Sequence, residues 1–254
     1  DQLPSVGAGA LLLDLIESET IPVVKLEHIF RQAKDSLITI NAHKVRRGEL
    51  LDFTNLREKK DSEDKLIDFY FLKESNPEKI VEKILLMCTD RIPKRFDLDP
   101  LIDIQVLTPM HRGVTGSLNL NRKIQEKINF DSDGIENREN YFRRGDKVMQ
   151  QQNDYEKGVF NGDLGHIVRL DHKKKDIYVK FENEIVHYEH KDLDQLSLAY
   201  AITVHKSQGS EYSAVIIPIT THHYMMLQRN LLYTAITRGK QLVVLIGTSA
   251  AVRI

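Results

Sequence analysis

Cysteine is almost absent from this sequence: Cys88 is the only one in 254 residues. No internal disulfide can form, and a reducing compartment, the cytoplasm, suits such a chain. Set within Ile84-Leu-Leu-Met-Cys88, the residue reads as a buried structural thiol. Long apolar runs are missing too. Nothing approaches the roughly 18 apolar residues of a membrane-spanning helix, and no basic-then-apolar stretch opens the chain, so no membrane partner is expected. An excess of charge is also lacking, since 36 Lys and Arg against 37 Asp and Glu leave a formal net charge of −1. That excludes a chain basic throughout, but a local stripe of Lys and Arg still suffices for nucleic acid.

What is present is ordinary globular material, 41% hydrophobic and 29% charged, long enough for one large domain or two modest ones. The pattern sharpens near the end. Apolar runs Ala214-Val-Ile-Ile-Pro-Ile219 and Leu242-Val-Val-Leu-Ile246 alternate with polar, Gly-bearing segments, Ala201 to Glu211 and Leu231 to Lys240. Short apolar runs of this kind are the mark of buried parallel strands, and the polar segments then fall at strand ends, where open α/β sheets place ligands.

Upstream, Pro22 to Leu26 reads as a short buried strand and Ser36 to Leu51 as a helix, followed by a charge-dense loop over Asn55 to Lys65. Asp68 to Leu72 is strand-like. Asn76-Pro-Glu offers an N-cap with Pro at the first helical position, and Ile80, Ile84 and Leu85 continue at helical spacing. With Ile104 to Pro109 as the next strand, a parallel βαβ unit with a right-handed crossover is expected. Ser117 to Ile128 is a helix whose Arg122 and Lys123 form a solvated face. From Arg143 the texture changes: the Asn161-Gly-Asp163 turn, the alternation of Ile177 to Phe181 and a hairpin partner at Ile185 to Tyr188 indicate a small twisted barrel. Lys173 to Lys175 reads as a solvated hairpin tip.

Thr203-Val-His-Lys-Ser-Gln-Gly-Ser-Glu211 and Tyr233-Thr-Ala-Ile-Thr-Arg238 resemble motifs V and VI of superfamily 1 DNA helicases of the RecD/TraA-like branch. Three further segments carry the resemblance: Asp1 to Gly7, like the second half of motif III; His28-Ile-Phe-Arg-Gln32, like motif IV; and Gln105 to Gly113. The resemblance implies an α/β fold, a RecA-like parallel-sheet motor domain with a small SH3-like β-barrel inserted. On that reading residues 1–27 end a first, truncated motor domain, 28–142 and 196–254 form the second, and 143–195 the barrel.

The same resemblance assigns roles. Arg238 is the arginine finger, Arg31 and Gln2 sense the same γ-phosphate, and Gly209 and Glu211 lie on the nucleotide side. Thr108, His111, Arg112, Thr203, His205 and Lys206 face the backbone of single-stranded DNA. ATP and Mg2+ are the implied cofactors. The phosphate loop and the acidic magnesium site belong to a first motor domain, and neither pattern occurs here: Gly239-Lys240 is followed by Gln, and no apolar strand ends in Asp-Glu. The expectation is the C-terminal portion of a 5′-to-3′ helicase, beginning inside motif III and inactive as an ATPase without its N-terminal motor domain. Nuclease-complex subunits are further implied partners. A non-catalytic DNA-binding adaptor and the helicase part of a conjugative relaxase are the alternatives. His222-His223 lacks further ligands at metal spacing, and no metal site of the chain's own is expected.

Overall fold

In this computed structural model the described residues are 2–3, 11–24, 36–53, 67–130, 133–138, 140–182, 184–221 and 228–252. The first helix, α1 (Leu11–Glu17), buries none of its residues. In α2 (Leu37–Arg47) the Ser36 hydroxyl accepts from the Thr39 amide, and Gly48 ends the helix at φ +72. Only glycine adopts that conformation without strain. Strand β1 (Phe69–Lys73) leads to α3 (Pro77–Leu86), whose Asn76 cap accepts from the Lys79 amide at 2.9 Å. Pro93 then removes a helical donor, and the chain widens into a π-turn over Met87–Arg91, with Ile92 N–H reaching Met87, before α4 (Ile92–Phe96).

After β2 (Ile104–Thr108) and α5 (Ser117–Ile128) come two short paired strands, β3 (Gly134–Asn137) and β4 (Asn140–Arg143). A second sheet follows: β5 (Lys147–Gln150), β6 (Leu164–Asp171), β7 (Asp176–Lys180), β8 (Ile185–Tyr188) and β9 (Leu196–Leu198). The chain ends through β10 (Ala201–Thr203), β11 (Tyr212–Ile219), α6 (Arg229–Ile236), β12 (Gly239–Gly247) and α7 (Ser249–Val252).

β1, β2, β10, β11 and β12 form one sheet, all parallel, in the order β1-β12-β11-β2-β10. Side chains on its central strands alternate between two cores. Val106, Ala214, Ile216, Leu242 and Val244 pack with Ile80, Ile84, Leu120 and Ile124 of α3 and α5. Leu107, Val215, Ile217, Val243 and Leu245 pack with α2 and α6 on the opposite face. Helices on both faces explain why these strands are continuous apolar runs. Each fully buried aliphatic side chain there contributes about 1.5–3 kcal/mol.

The second sheet is antiparallel, in the order β8-β7-β6-β5-β9. It curls on itself: Tyr188 of β8 donates its hydroxyl to Gln150 of β5 at 2.8 Å, although two strands lie between them in the sheet. Its core is continuous with the α3/α5 side of the parallel sheet.

Three expectations change here. The barrel sheet runs past residue 195, because Leu196–Leu198 pairs with Lys147–Gln150 and buries Leu196 and Leu198. The β3–β4 pair was not anticipated. Pro22 to Val24, expected to open a buried strand, belong to no strand, and Val24 is 87% exposed. Lys25 and Leu26 lie outside the described residues.

Candidate nucleotide and nucleic-acid interface

The loop after β10 is the centre of the site. β10 runs parallel to β2 with Thr203 beside Thr108, so the loops that follow both strands leave the carboxyl edge of the sheet together. A single 3-10 turn, His205–Ser207, starts the loop, and the buried Ser207 hydroxyl donates to Val204 O at 2.7 Å. Gly209 then reverses the chain at φ +82, and a Cβ there would meet nothing within 4 Å. Backbone conformation alone, not space, calls for glycine at this position.

Arg238 ties this loop to the end of α6. Only 4% exposed, it donates Nη1 to Ser210 O at 2.9 Å and Nε to Thr234 O at 3.3 Å. Its own carbonyl accepts from Tyr212 N–H at 2.9 Å, which seats the start of β11. Glu211 lies 3.4 Å from the Lys240 ammonium. The first described residues join the same cluster across the length of the chain. Leu3 N–H donates to the Thr234 hydroxyl at 2.9 Å, and Gln208 donates its side-chain amide to Leu3 O at 3.0 Å. Gln2 is exposed next to this clip. Gln2, Gly209, Glu211 and Arg238 are thus brought to one corner, while Arg31 lies outside the described residues.

On its other side the loop meets the barrel. Thr203, His205, Lys206 and Gln208 face the Asn161-Gly162-Asp163 turn across a cleft of about 600 Å³. A second cleft, of about 520 Å³, lies between the loop, α5, β4 and β9, and holds His111, Arg122 and Tyr141. Thr203 and Lys206 line both clefts, so the loop is the ridge between them. The Lys206 ammonium bonds the side-chain oxygen of Gln151 on the barrel, and the desolvation this brings lowers its pKa. His111 shares a hydrogen bond of 3.0 Å between Nδ1 and the Ser117 hydroxyl, and Arg112 is exposed beside it.

Thr108 is a correction. It is fully buried and donates its hydroxyl to Thr115 O at 2.7 Å, so it shapes the loop after β2 and cannot reach a phosphate. A larger cavity, of about 790 Å³, lies away from this edge against β1, α3 and the π-turn, lined chiefly by apolar residues such as Leu72, Leu86 and Phe96.

Buried polar groups that the sequence did not single out hold the barrel in place. The Asp146 carboxylate accepts from Arg143 N–H, Gln125, Asn129 and the Tyr200 hydroxyl, at 2.6–2.8 Å. Burial outweighs these four donors and raises its pKa. Asn121 donates to Leu198 O and Ala201 O, and accepts from Ala201 N–H. Lys147 is buried with its ammonium 3.4 Å from Ile104 O, and desolvation lowers its pKa to about 8. Beside it the Cys88 thiol is buried and pushed up to about 12. Among the described residues no three His, Cys, Asp or Glu side chains group to hold a metal ion, and His222 and His223 lie outside them.

A doubly wound parallel sheet with an inserted antiparallel barrel, the loop after β10 leaving its carboxyl edge and Arg238 directly before β12, has the RecA-like fold of the superfamily 1 helicases. Comparison with known proteins agrees. Residues 198–246 match the UvrD-like helicase C-terminal domain and residues 120–181 the ATP-dependent RecD-like DNA helicase SH3 domain. The ATP-dependent RecD2 DNA helicase of Deinococcus radiodurans is 34% identical over 99% of this chain and 32% of its own length. The RecBCD enzyme subunit RecD of Mycobacterium tuberculosis is 28% identical over the whole chain and 44% of its own. The Pif1 helicase of Candida albicans shares the fold, with a TM-score of 0.50 at 17% identity over 90% of this chain and 57% of that one. The chain is a homologue of the RecD-like helicases that carries a UvrD-like helicase C-terminal domain and a RecD-like SH3 domain. It spans about a third of the Deinococcus relative and under half of the mycobacterial one.

Proposed function

We propose that this chain is the C-terminal motor portion of an ATP-dependent 5′-to-3′ DNA helicase acting in the cytoplasm. The observation that carries the reading is the corner where Arg238, the Gln208–Ser210 turn and the Gln2–Leu3 segment converge through hydrogen bonds. A first motor domain supplies the phosphate loop and the carboxylates for Mg2+. This chain completes the nucleotide site with Arg238, Gln2 and Gly209, and with Arg31 from motif IV. A guanidinium at the γ-phosphate typically contributes about 10³ to 10⁵ in rate. The exposed apolar face of α1, with Leu11 72% and Leu12 74% exposed, is the kind of surface another domain covers.

The DNA side is served by His111, Arg112, Thr203, His205 and Lys206. One short loop lies between Lys206, facing the clefts, and Ser210, which holds Arg238, so a shift of Arg238 is felt at the single strand. The relative at 28% identity is named as a subunit of the RecBCD enzyme, and membership of a nuclease complex is part of the proposal.

The test is ATP hydrolysis with and without oligothymidylate, for this chain and for a chain extended upstream through a first motor domain. No turnover is expected from the former. DNA-stimulated turnover is expected from the latter, falling by at least about 10³ on Arg238→Ala. An extended chain that is silent while this one binds single strands would replace the motor with a DNA-binding adaptor.

A further inference from the structure

The barrel lip beside the loop cleft displays two aromatic rings to solvent. Tyr155 is 79% exposed and Phe160 46% exposed. Their ring centroids are 5.9 Å apart at 79°, edge to face. They do not hang from a slack loop. Asp154 and Val159 pair backbone to backbone, N–H to carbonyl in both directions, at 2.8 and 3.1 Å. Lys157, inside that turn, bonds Asp192 at 2.8 Å and lies over the Tyr188 ring. Phe160 N–H donates to Asp163, and Asn161 N–H to Asn153. A rigid turn that keeps two aromatic faces in water is a surface built for a partner.

The chemistry of the cleft names the partner. Its loop wall offers Thr203, His205 and Lys206, suited to phosphate, whereas its barrel wall offers amides and the Asp163 carboxylate, which repels phosphate. A single strand lying there with its backbone along the loop turns its bases toward the barrel, and Phe160 directly precedes that wall. We propose that Tyr155 and Phe160 form a stacking platform for bases of single-stranded DNA, indifferent to sequence because every base offers a π-face. This rests on the DNA-facing reading of the loop given above.

The test uses this chain with labelled oligothymidylate and with an abasic strand of equal length, followed by fluorescence anisotropy across a salt series. Tyr155→Ala and Phe160→Ala should each weaken oligothymidylate binding by about tenfold, and Tyr155→Phe should retain it. The unaltered chain should lose a similar factor on the abasic strand, where Tyr155→Ala should cost nothing more. The salt dependence should not change, because no phosphate contact is removed. The sequence contains no Trp, so Tyr155→Trp adds a single reporter, quenched by oligothymidylate and not by the abasic strand.

If Lys206→Ala weakens binding while the aromatic variants do not, the platform is overturned and the DNA-facing loop stands. Equal losses on both strands would also overturn it, assigning the rings to a protein contact. If the unaltered chain binds neither strand, the DNA-facing reading falls and the platform with it.

Discussion

The Tyr200 hydroxyl donates to the Asp146 carboxylate at 2.8 Å, and at this bond the two passages of the chain between sheet and barrel meet. Asp146 stands where the chain enters the barrel and Tyr200 where it returns toward β10 and the loop of the candidate site. Burial and the neighbouring carboxylate both push the Tyr200 pKa up, which keeps the hydroxyl a donor. Gln125 and Asn129 bring α5 and the residue that follows it to the same carboxylate. Tyr200→Phe removes one charge-assisted bond and should cost about 1.5–3 kcal/mol in urea denaturation. Asp146→Asn sets an amide NH2 against donors and should cost about 3 kcal/mol or more. The double variant should lose less than the two single losses combined, because both remove the same bond. Additive losses would mean the four donors do not act as one clasp.

Lys147, next along the chain, carries a pH signature. Burial holds its pKa at about 8 in the folded protein, against 10.5 as the ordinary value. Between those values the unfolded chain binds more protons than the folded one, so stability should rise as pH rises from about 8 to 10.5. Below pH 8 the full penalty applies, about 3 kcal/mol at 1.36 per unit. Lys147→Met keeps the apolar stem and should be more stable at pH 7, with that rise removed. Chemical denaturation at several pH values reads both effects. A variant no more stable than the parent would mean that the contact with Ile104 O and the Tyr212 ring, 5.8 Å from the ammonium, offset the burial.

How much of this was legible in the sequence follows from where each signal lies. β11 and β12 were plain because strands covered on both faces are continuous apolar runs, and β7 with β8 because one face alternates. Pro22 to Val24 share that apolar look, yet a run of β-branched residues does not say which strand it pairs with. The β3–β4 pair was missed because each strand has four residues and buries one, Ile135 or Phe142. In the site, the segments that carry Arg238 and Lys206 stood out by pattern. Thr108 misled, since nothing in Leu-Thr-Pro tells whether the hydroxyl turns inward to Thr115. Gln151 and Leu3 reach the site only through tertiary contacts, and neither has a local signal.

Gly209 gives a test of the loop itself. Its φ of +82 is strained for any side chain, although no atom would collide with a Cβ. Gly209→Ala should therefore cost about 1–2 kcal/mol through backbone conformation alone, and Gly209→Asn less, because Asn tolerates the left-handed region. Thermal denaturation compares the two. Equal costs would point to packing as the constraint, contrary to the open space at this residue.

Lys206 supplies the most direct reading of the DNA side. Its ammonium is held by Gln151, an uncharged partner that leaves the positive charge in place. A phosphate contact from this group releases counterions, and for single strands each such contact contributes about 0.7 to the slope of log affinity against log salt. Lys206→Ala should weaken oligothymidylate binding and reduce that slope by about this amount, whatever the sequence of the strand. Gln151→Ala should leave the slope near the parent value, since the charge remains, while lowering affinity modestly because the ammonium is no longer positioned. Titrations at four or five salt concentrations separate these cases. An unchanged slope for Lys206→Ala would remove this lysine from the phosphate path and shift the electrostatic footprint toward Arg112, exposed in the loop after β2.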